Sequence, residues 1–423
     1  MTAPSSRATS PVQAITSINL GHWWQTAQKQ GHPAAVWRLP GQTEKYALAH
    51  LSGPLLAQQP IDLDECPPGF AIGLFDAPQD EFANAFYLRA DRLAQTTETG
   101  QLTYLNTPAS PHADAFDQAL AYTARHPQRV PGAILFSEQP DPTAQAFFEQ
   151  TVAEAVRAMQ AGQFWKVVLS RTKTLEFVHE PDVITLFDRL CAAYPTAFVS
   201  AVFLPAGTGG RPAQVWLSAT PERLVSVDAE GVFKTVALAG TQSAYTPEGT
   251  MKRTADALWS QKEIEEQALV SRYIIGCFKK IRLREYLEEG PKTAQAGNLM
   301  HLCTQYSVNT RAVRFPQLGT VMLRLLHPTS AVCGMPRAAA LAFIQAHERH
   351  DRGFFAGFLG PVNIGGASQL FVHIRCLLLV GKTATLYAGA GLTEDSDPQK
   401  EWLETEMKCQ TLLRGIGEKC ASA

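Results

Sequence analysis

Residues 387–408, YAGAGLTEDSDPQKEWLETEMK, decide how the rest of the chain is read, because they join a glycine turn directly to an acidic helix. Gly389, Ala390 and Gly391 let a backbone approach a ligand closely and leave amide N–H groups to meet an anion. Asp397 is the predicted N-cap and Pro398 the predicted first helical residue. At about 3.6 residues per turn, Glu401, Glu404 and Lys408 share a stripe that Leu412 and Ile416 continue, so the stripe is predicted to face inward. Inward carboxylates beside a glycine turn suit a hard cation such as magnesium, which takes oxygen ligands and shares them with a substrate anion. A solvated acidic first turn, favoured by the helix dipole, is the other reading that this stretch allows.

The whole chain narrows the chemistry. Its 423 residues are 45% hydrophobic and 18% charged, ample for a large core in one elaborate domain or two smaller ones. Net charge is −2, from 37 basic and 39 acidic residues without a long block of one sign. Neither a nucleic acid nor an anionic membrane surface is therefore implied as a partner, and a small-molecule substrate is expected. No run reaches the roughly 18 apolar residues of a membrane span, and MTAPSSRATSPVQ lacks the apolar core of a signal peptide, so the expected location is cytoplasmic. Eight cysteines scattered through apolar segments, with no CxxC pair, read as reduced core thiols rather than disulfides or a zinc site.

Residues 1–15, rich in Ser, Thr, Pro and Ala, read as a disordered lead. A short helix is predicted over 17–30, strands over 34–39, 70–74 and 86–88, and a long polar loop over 95–114. The clearest helix is 142–162, where Phe148, Val152, Ala155, Val156 and Met159 repeat at helical spacing. It delivers the chain into a strand at 164–171 that carries Lys166 among β-favouring neighbours. Desolvation disfavours an ammonium, and a lysine made partly neutral can act as a general base. An edge-strand lysine reaching solvent is the alternative.

Beyond a helix at 182–194, strands are predicted at 197–204, 214–219 and 232–238, joined by hairpins as well as crossovers. Pro221 stops one strand and presents Glu222 at its end, as an acid catalyst or a salt-bridge partner. Ala237-Leu238-Ala239-Gly240-Thr241 ends another in a small-residue turn. In the helix beginning near 254, Glu266 shares a stripe with Val270, Tyr273 and Cys277, which repeats the inward acid of Glu404. His301 lies between apolar neighbours in a strand predicted at 298–303, where a core histidine is the default. A Gly/Pro-punctuated loop at 327–337 leads into an alanine-rich helix at 337–346. In the strand predicted at 369–377, apolar residues surround Arg375, whose fork suits a carboxylate of a ligand or of another side chain.

KVVLSR at 166–171, TPERL at 220–224, ALAGT at 237–241, the acidic helix around Glu266, MHL at 300–302, HPTSAVCGMPR at 327–337, HIRC at 373–376 and the stretch at 387–408 together resemble one family. It is the chorismate-utilising enzymes: the anthranilate, aminodeoxychorismate, salicylate and isochorismate synthases. The resemblance is clear over about residues 140–415 and implies an α/β (α+β) fold. That fold is a single large chorismate-binding domain with two orthogonally packed, mainly antiparallel sheets flanked by helices (α/β/β/α). The chain then divides into the lead at 1–15, a variable N-terminal part of the same fold at 16–140 and a catalytic core at 141–418.

Family members that add water to chorismate carry a lysine at the position of Lys166, so the resemblance implies isochorismate or salicylate synthesis. Aminodeoxychorismate synthases often carry a lysine where this chain has Ala239, which turns the reading from that branch. No stretch resembles a glutamine amidotransferase domain, and no such subunit is expected. The implied mechanism has Lys166 as the general base that activates water for attack at C2, and Glu222 as the general acid that protonates the departing C4 hydroxyl. It requires a neutral Lys166 and a protonated Glu222. His301 matches an active-site histidine. Glu266 and Glu404 match magnesium ligands, with Glu401 close by, directly or through water. Gly240, Thr241, Ala331, Arg375, Gly389 and Lys408 match positions that contact substrate, and Lys408 is assigned to a substrate carboxylate rather than to a pair with Glu404. Gln267, Cys333 and Gln369 depart from the family pattern at positions outside the chemistry. The leading expectation is a magnesium-dependent isochorismate synthase serving menaquinone or siderophore biosynthesis, as a monomer or weak dimer. Salicylate synthase and an inactive chorismate-binding protein are the alternatives.

Overall fold

Side-chain alternation along the strand Ala34–Arg38 sets the layering: Ala34 and Val36 enter one apolar core, Ala35 and Trp37 another. The computed structural model describes residues 18–76, 83–106, 111–127, 134–246, 248–296 and 299–419, so the predicted lead at 1–15 lies outside them. A twelve-stranded sheet runs in the order Glu418–Lys419, Leu135–Glu138, Lys166–Phe177, Thr383–Leu392, Cys376–Val380, Gln214–Thr220, Phe198–Leu204, Ala34–Arg38, Lys45–Ala49, Arg92–Thr96, Leu102–Asn106. Short Gly334–Met335 also pairs with Lys166–Phe177. A nine-stranded sheet runs Leu287–Ala296, Leu299–Asn309, Val232–Ser243, Arg223–Val227, Ser368–Val372, Phe358–Val362, Gly69–Gly73, Asn84–Arg89, Gln59–Pro60. Neighbours are antiparallel except Glu418–Lys419 against Leu135–Glu138.

Aromatic rings join the sheets across the inner core. Trp37 meets Phe70 at 5.3 Å, and Phe198 stacks on Phe371 at 4.2 Å, each pair taking one ring from each sheet. On the far side of the larger sheet Trp23, Phe116, Phe187 and Leu412 bring in helices Leu20–Gln30, Pro111–Arg125, Val183–Ala193 and Pro398–Ile416. Helices Gln261–Lys280 and Leu318–Leu326 pack on the smaller sheet. The result is the helix, sheet, sheet, helix layering that the family resemblance implies, and no helix among the described residues is long and apolar enough to cross a membrane.

Two predicted elements are corrected. The loop at 95–114 contains the ends of Arg92–Thr96, the strand Leu102–Asn106 and the start of helix Pro111–Arg125. That strand sits at the sheet margin with an exposed Tyr104 and Leu105, so it lacks the apolar alternation of an inner strand. The strand predicted at 369–377 is two strands in different sheets, Ser368–Val372 and Cys376–Val380, separated by a bend at which Arg375 takes φ 50°.

Candidate active site

Two of the corners at which the chain passes between the sheets lie side by side. Gln214–Thr220 of the larger sheet leads through Pro221 and Glu222 into Arg223–Val227 of the smaller, and Ser368–Val372 returns through His373, Ile374 and Arg375 to Cys376–Val380. The corners are bonded together. Thr220 Oγ1 donates to the Val372 carbonyl at 2.7 Å, the Val372 N–H to the Glu222 carbonyl at 2.9 Å, and the Ala219 N–H to the Arg375 carbonyl at 3.0 Å. This seam sets Glu222 and Arg375 on the wall of one cavity of about 490 Å³. Gly240, Glu266 and His301 line it from the smaller sheet and its helix; Ala331, Gly389, Glu404 and Lys408 line it from loop, strand and terminal helix.

Glu222 is 9% exposed, and burial pushes its carboxyl up to about 7 against the opposing pull of Lys166, Arg375 and Lys408. Lys166, 2% exposed, lies in an inner strand with neighbours on both edges, so the solvent-reaching alternative is excluded. Its Nζ donates to Glu266 Oε1 at 2.9 Å. Glu266 lies past the first turn of Gln261–Lys280, a helix started by a capping box between Ser260 and Glu263. Burial opposes ionisation of Glu266, but Lys166, Lys408 and the Gly240 N–H hold its carboxyl below the ordinary value.

Gly240 takes φ 63° where the register of Val232–Ser243 slips between Ala239 and Gln242. The bulge offers the Gly240 N–H to Glu266 and the Gly240 carbonyl to His301 Nδ1 at 2.9 Å. Burial lowers the His301 ring to about 4, so it is neutral at pH 7; a ring that donates from Nδ1 keeps Nε2 as an acceptor. Thr241 follows on the same strand, and its side chain lies outside the described residues.

The predicted glycine turn is a strand: Gly389 pairs with Ser170 and Gly391 with Val168. The glycines leave space rather than a turn. A Cβ on Gly391 would stand 3.3 Å from Lys166 Cε and 3.4 Å from Glu266 Oε1, so the missing side chain makes room for the ion pair. The helix after it starts as predicted, at Pro398 with Asp397 capping the Lys400 N–H. Lys408 departs from expectation, because its Nζ donates to Glu404 Oε1 at 2.6 Å and to the Gly389 carbonyl at 2.7 Å. The first acceptor is one turn away on the same helix and the second on strand Thr383–Leu392, so the intrahelical pair forms and the lysine also ties helix to strand.

Glu266 and Glu404 share the cavity, whereas Glu401 does not line it. Glu401 is 4% exposed and faces Lys262 at 3.6 Å; burial, then the Glu404 charge, raises its carboxyl above the ordinary value. The three predicted metal carboxylates therefore do not gather at one point, and no cluster of three ligating side chains occurs among the described residues. Sequence reasoning missed Lys262, which lines the cavity one turn before Glu266. The signal for Lys262 was present, since it shares the stripe of Glu266.

Residues 87–417 match the family described as chorismate binding enzyme. The chain is 32% identical over 275 residues to the isochorismate synthase EntC of Escherichia coli, covering 64% of this chain and 68% of that protein. It is 28% identical over 346 residues to the isochorismate synthase DhbC of Bacillus subtilis, covering 78% and 84%. The structure of MenF, the menaquinone-specific isochorismate synthase of Escherichia coli, shares the fold with a TM-score of 0.71 over 93% of this chain and 91% of that one, at 22% identity.

Proposed function

The chain belongs to the chorismate-binding enzymes, and on that premise we propose that it is an isochorismate synthase, which adds water at C2 of chorismate as the C4 hydroxyl leaves. The observation that carries this reading is a buried lysine, bonded to Glu266 on the wall of the cavity, beside a second wall residue, Glu222, whose carboxyl is held as an acid near neutral pH. Lys166 rests as an ammonium paired with Glu266, and in the amine form that the step requires it takes a proton from the attacking water. The new C2–O bond forms as the ring double bonds shift, the C4–O bond breaks, and Glu222 gives its proton to the departing hydroxyl. Lys166 is then protonated and Glu222 ionised, and one proton passed between them resets the site. Arg375 on the seam and Lys408 bind the substrate carboxylates, Lys408 exchanging Glu404 for the ligand. Gly240, Thr241, Ala331 and Gly389 complete the substrate wall, and His301 Nε2 accepts a hydrogen bond from substrate or water.

Glu266 and Glu404 suit magnesium: two hard carboxylates at one cavity are the number that this ion takes from a protein when substrate and water supply the rest. When bound, the ion supplies charge neutralisation and a fixed orientation for the ring carboxylate. Glu401, off the cavity wall, is placed beside this pair rather than in contact with the ion. We assign the product to menaquinone or siderophore synthesis, in the cytoplasm, by a monomer or weak dimer without an amidotransferase subunit.

Chromatography after incubation with chorismate and magnesium tests the reading. Isochorismate as the main product supports it. Salicylate plus pyruvate replaces it with salicylate synthesis, and binding without turnover replaces it with a non-catalytic chorismate-binding protein.

A further inference from the structure

The strand Lys166–Phe177 is incompletely partnered along one edge. Thr383–Leu392 covers the other edge from Val167 to Glu176. On this one, Gly334–Met335 covers Lys166 and Val167, and Leu135–Glu138 covers Leu175 to Phe177, leaving a gap between them. Val168 N–H reaches the Cys333 carbonyl at 2.9 Å. Two side chains from the turn after helix Arg337–His347 fill much of the remainder. Ser170 N–H donates to Glu348 Oε1 at 2.7 Å, and Ser170 Oγ to the same oxygen at 2.9 Å. Arg352 Nη2 donates to the Val168 carbonyl at 2.6 Å, and Nη1 to the Val332 carbonyl at 2.9 Å.

The same two side chains grip each other. Arg352 Nε donates to Glu348 Oε2 at 2.8 Å and Nη2 to Glu348 Oε1 at 2.6 Å, with side chains only 4% and 5% exposed. A buried ion pair is a net gain only when further hydrogen bonds satisfy both ions, and here backbone groups supply them. Val168 and Val332, whose carbonyls Arg352 holds, both line the cavity, on strand and loop respectively.

We propose that Glu348 and Arg352 are positioning residues: a side-chain replacement for a missing strand that fixes the Lys166 strand and the loop of Ala331 and Val332 at one separation, and so sets the width of the cavity. The proposal rests on the reading of that cavity as the chorismate site.

Arg352→Lys tests it, since an ammonium keeps the charge opposite Glu348 and loses the planar fork that reaches two carbonyls. The expected result is a loss of about tenfold or more in kcat/KM, carried by KM, from misplacement of the substrate wall. Amide hydrogen exchange should rise together in peptides spanning 167–171 and 330–334 and stay at the parent level in helix Val183–Ala193. A lowered thermal midpoint with parent KM and parent exchange in both peptides overturns the proposal. Should Arg352→Lys fail to fold, Glu348→Gln, which keeps an oxygen for Ser170 N–H and drops the charge, is read in the same way. Exchange is measured without substrate, so a parent protein that does not turn over chorismate would remove the functional reading and leave this test intact.

Discussion

Each of two lysine–glutamate pairs places its glutamate on the cavity wall, and the two are built differently. Lys166 and Glu266 are 100 positions apart, and the lysine is 2% exposed; Lys408 and Glu404 lie one turn apart on a single helix, 21% and 37% exposed. The first exists only because strand and helix have packed and Gly391 has left them room. Glu266 is 27% exposed, on the cavity wall, so it is the loss of Glu266 that would strand a charge, the Lys166 ammonium, away from water. The second forms in any copy of that helix and is worth only a few tenths of a kcal/mol, about 0.5 at most. On the proposed reading a substrate carboxylate would displace Glu404 from Lys408 at little cost, whereas Lys166 stays where the fold holds it.

The largest effect should come from breaking the buried pair. Lys166→Ala is expected to lower kcat by about 10³-fold, within the range for a lost general base, while calorimetry still detects chorismate binding. Parent-like turnover in that variant would remove the base assignment. Glu222→Gln should follow, with a loss of about 10²-fold. Its carboxyl sits near 7 against an ordinary 4.5, so the acid form is lost as pH rises through about 7. The parent kcat/KM should fall on that alkaline limb, and the variant should lack the fall. The same shift acts on stability: the folded chain keeps a proton that the unfolded chain releases, so stability declines between pH 4.5 and about 7 and levels above it. Denaturant melts of Glu222→Gln across that window should show a shallower decline, and an unchanged slope would place the raised carboxyl elsewhere.

Gly391→Ala crowds the buried pair and leaves the helical one alone. A loss of about tenfold in kcat, with thermal stability close to the parent, is expected from the displaced ammonium. The smallest effect on the fold belongs to Glu404→Ala, a shift of about 0.5 kcal/mol or less in urea denaturation. The same variant should need more magnesium for half-maximal rate, and an unchanged metal requirement would move the ion away from Glu404.

The helical pair was open to the sequence and the buried one only in part. Asp397-Pro398 announces its helix, and the spacing of Glu401, Glu404 and Lys408 follows from one turn of geometry. Even so, family resemblance pointed Lys408 at a ligand, and the nearer acceptor prevails in the free protein. For Lys166 the residue type was informative, but its inner position depends on Gly334–Met335 and Thr383–Leu392, strands far along the chain. Gly389 and Gly391 read locally as a turn because only the register against Leu169 and its neighbours shows them to be strand. The corner at Arg375 was hidden by a continuous apolar run, since both halves of that run are buried strands in different sheets. Glu348 and Arg352 show in the sequence only as an acid and a base four positions apart; the backbone groups they meet, which matter most, are not legible there.

The seam between the corners has a consequence for how such chains diversify. Thr220, Val372 and Ala219 stitch the two crossings together, so Glu222 and Arg375 are placed by the same few bonds that join one sheet to the other. One residue inserted at either crossing would slip the strand that follows and turn its whole apolar face over. A change of length at either corner would therefore disturb acid and guanidinium together, whereas one in a loop away from the seam would leave both where they are.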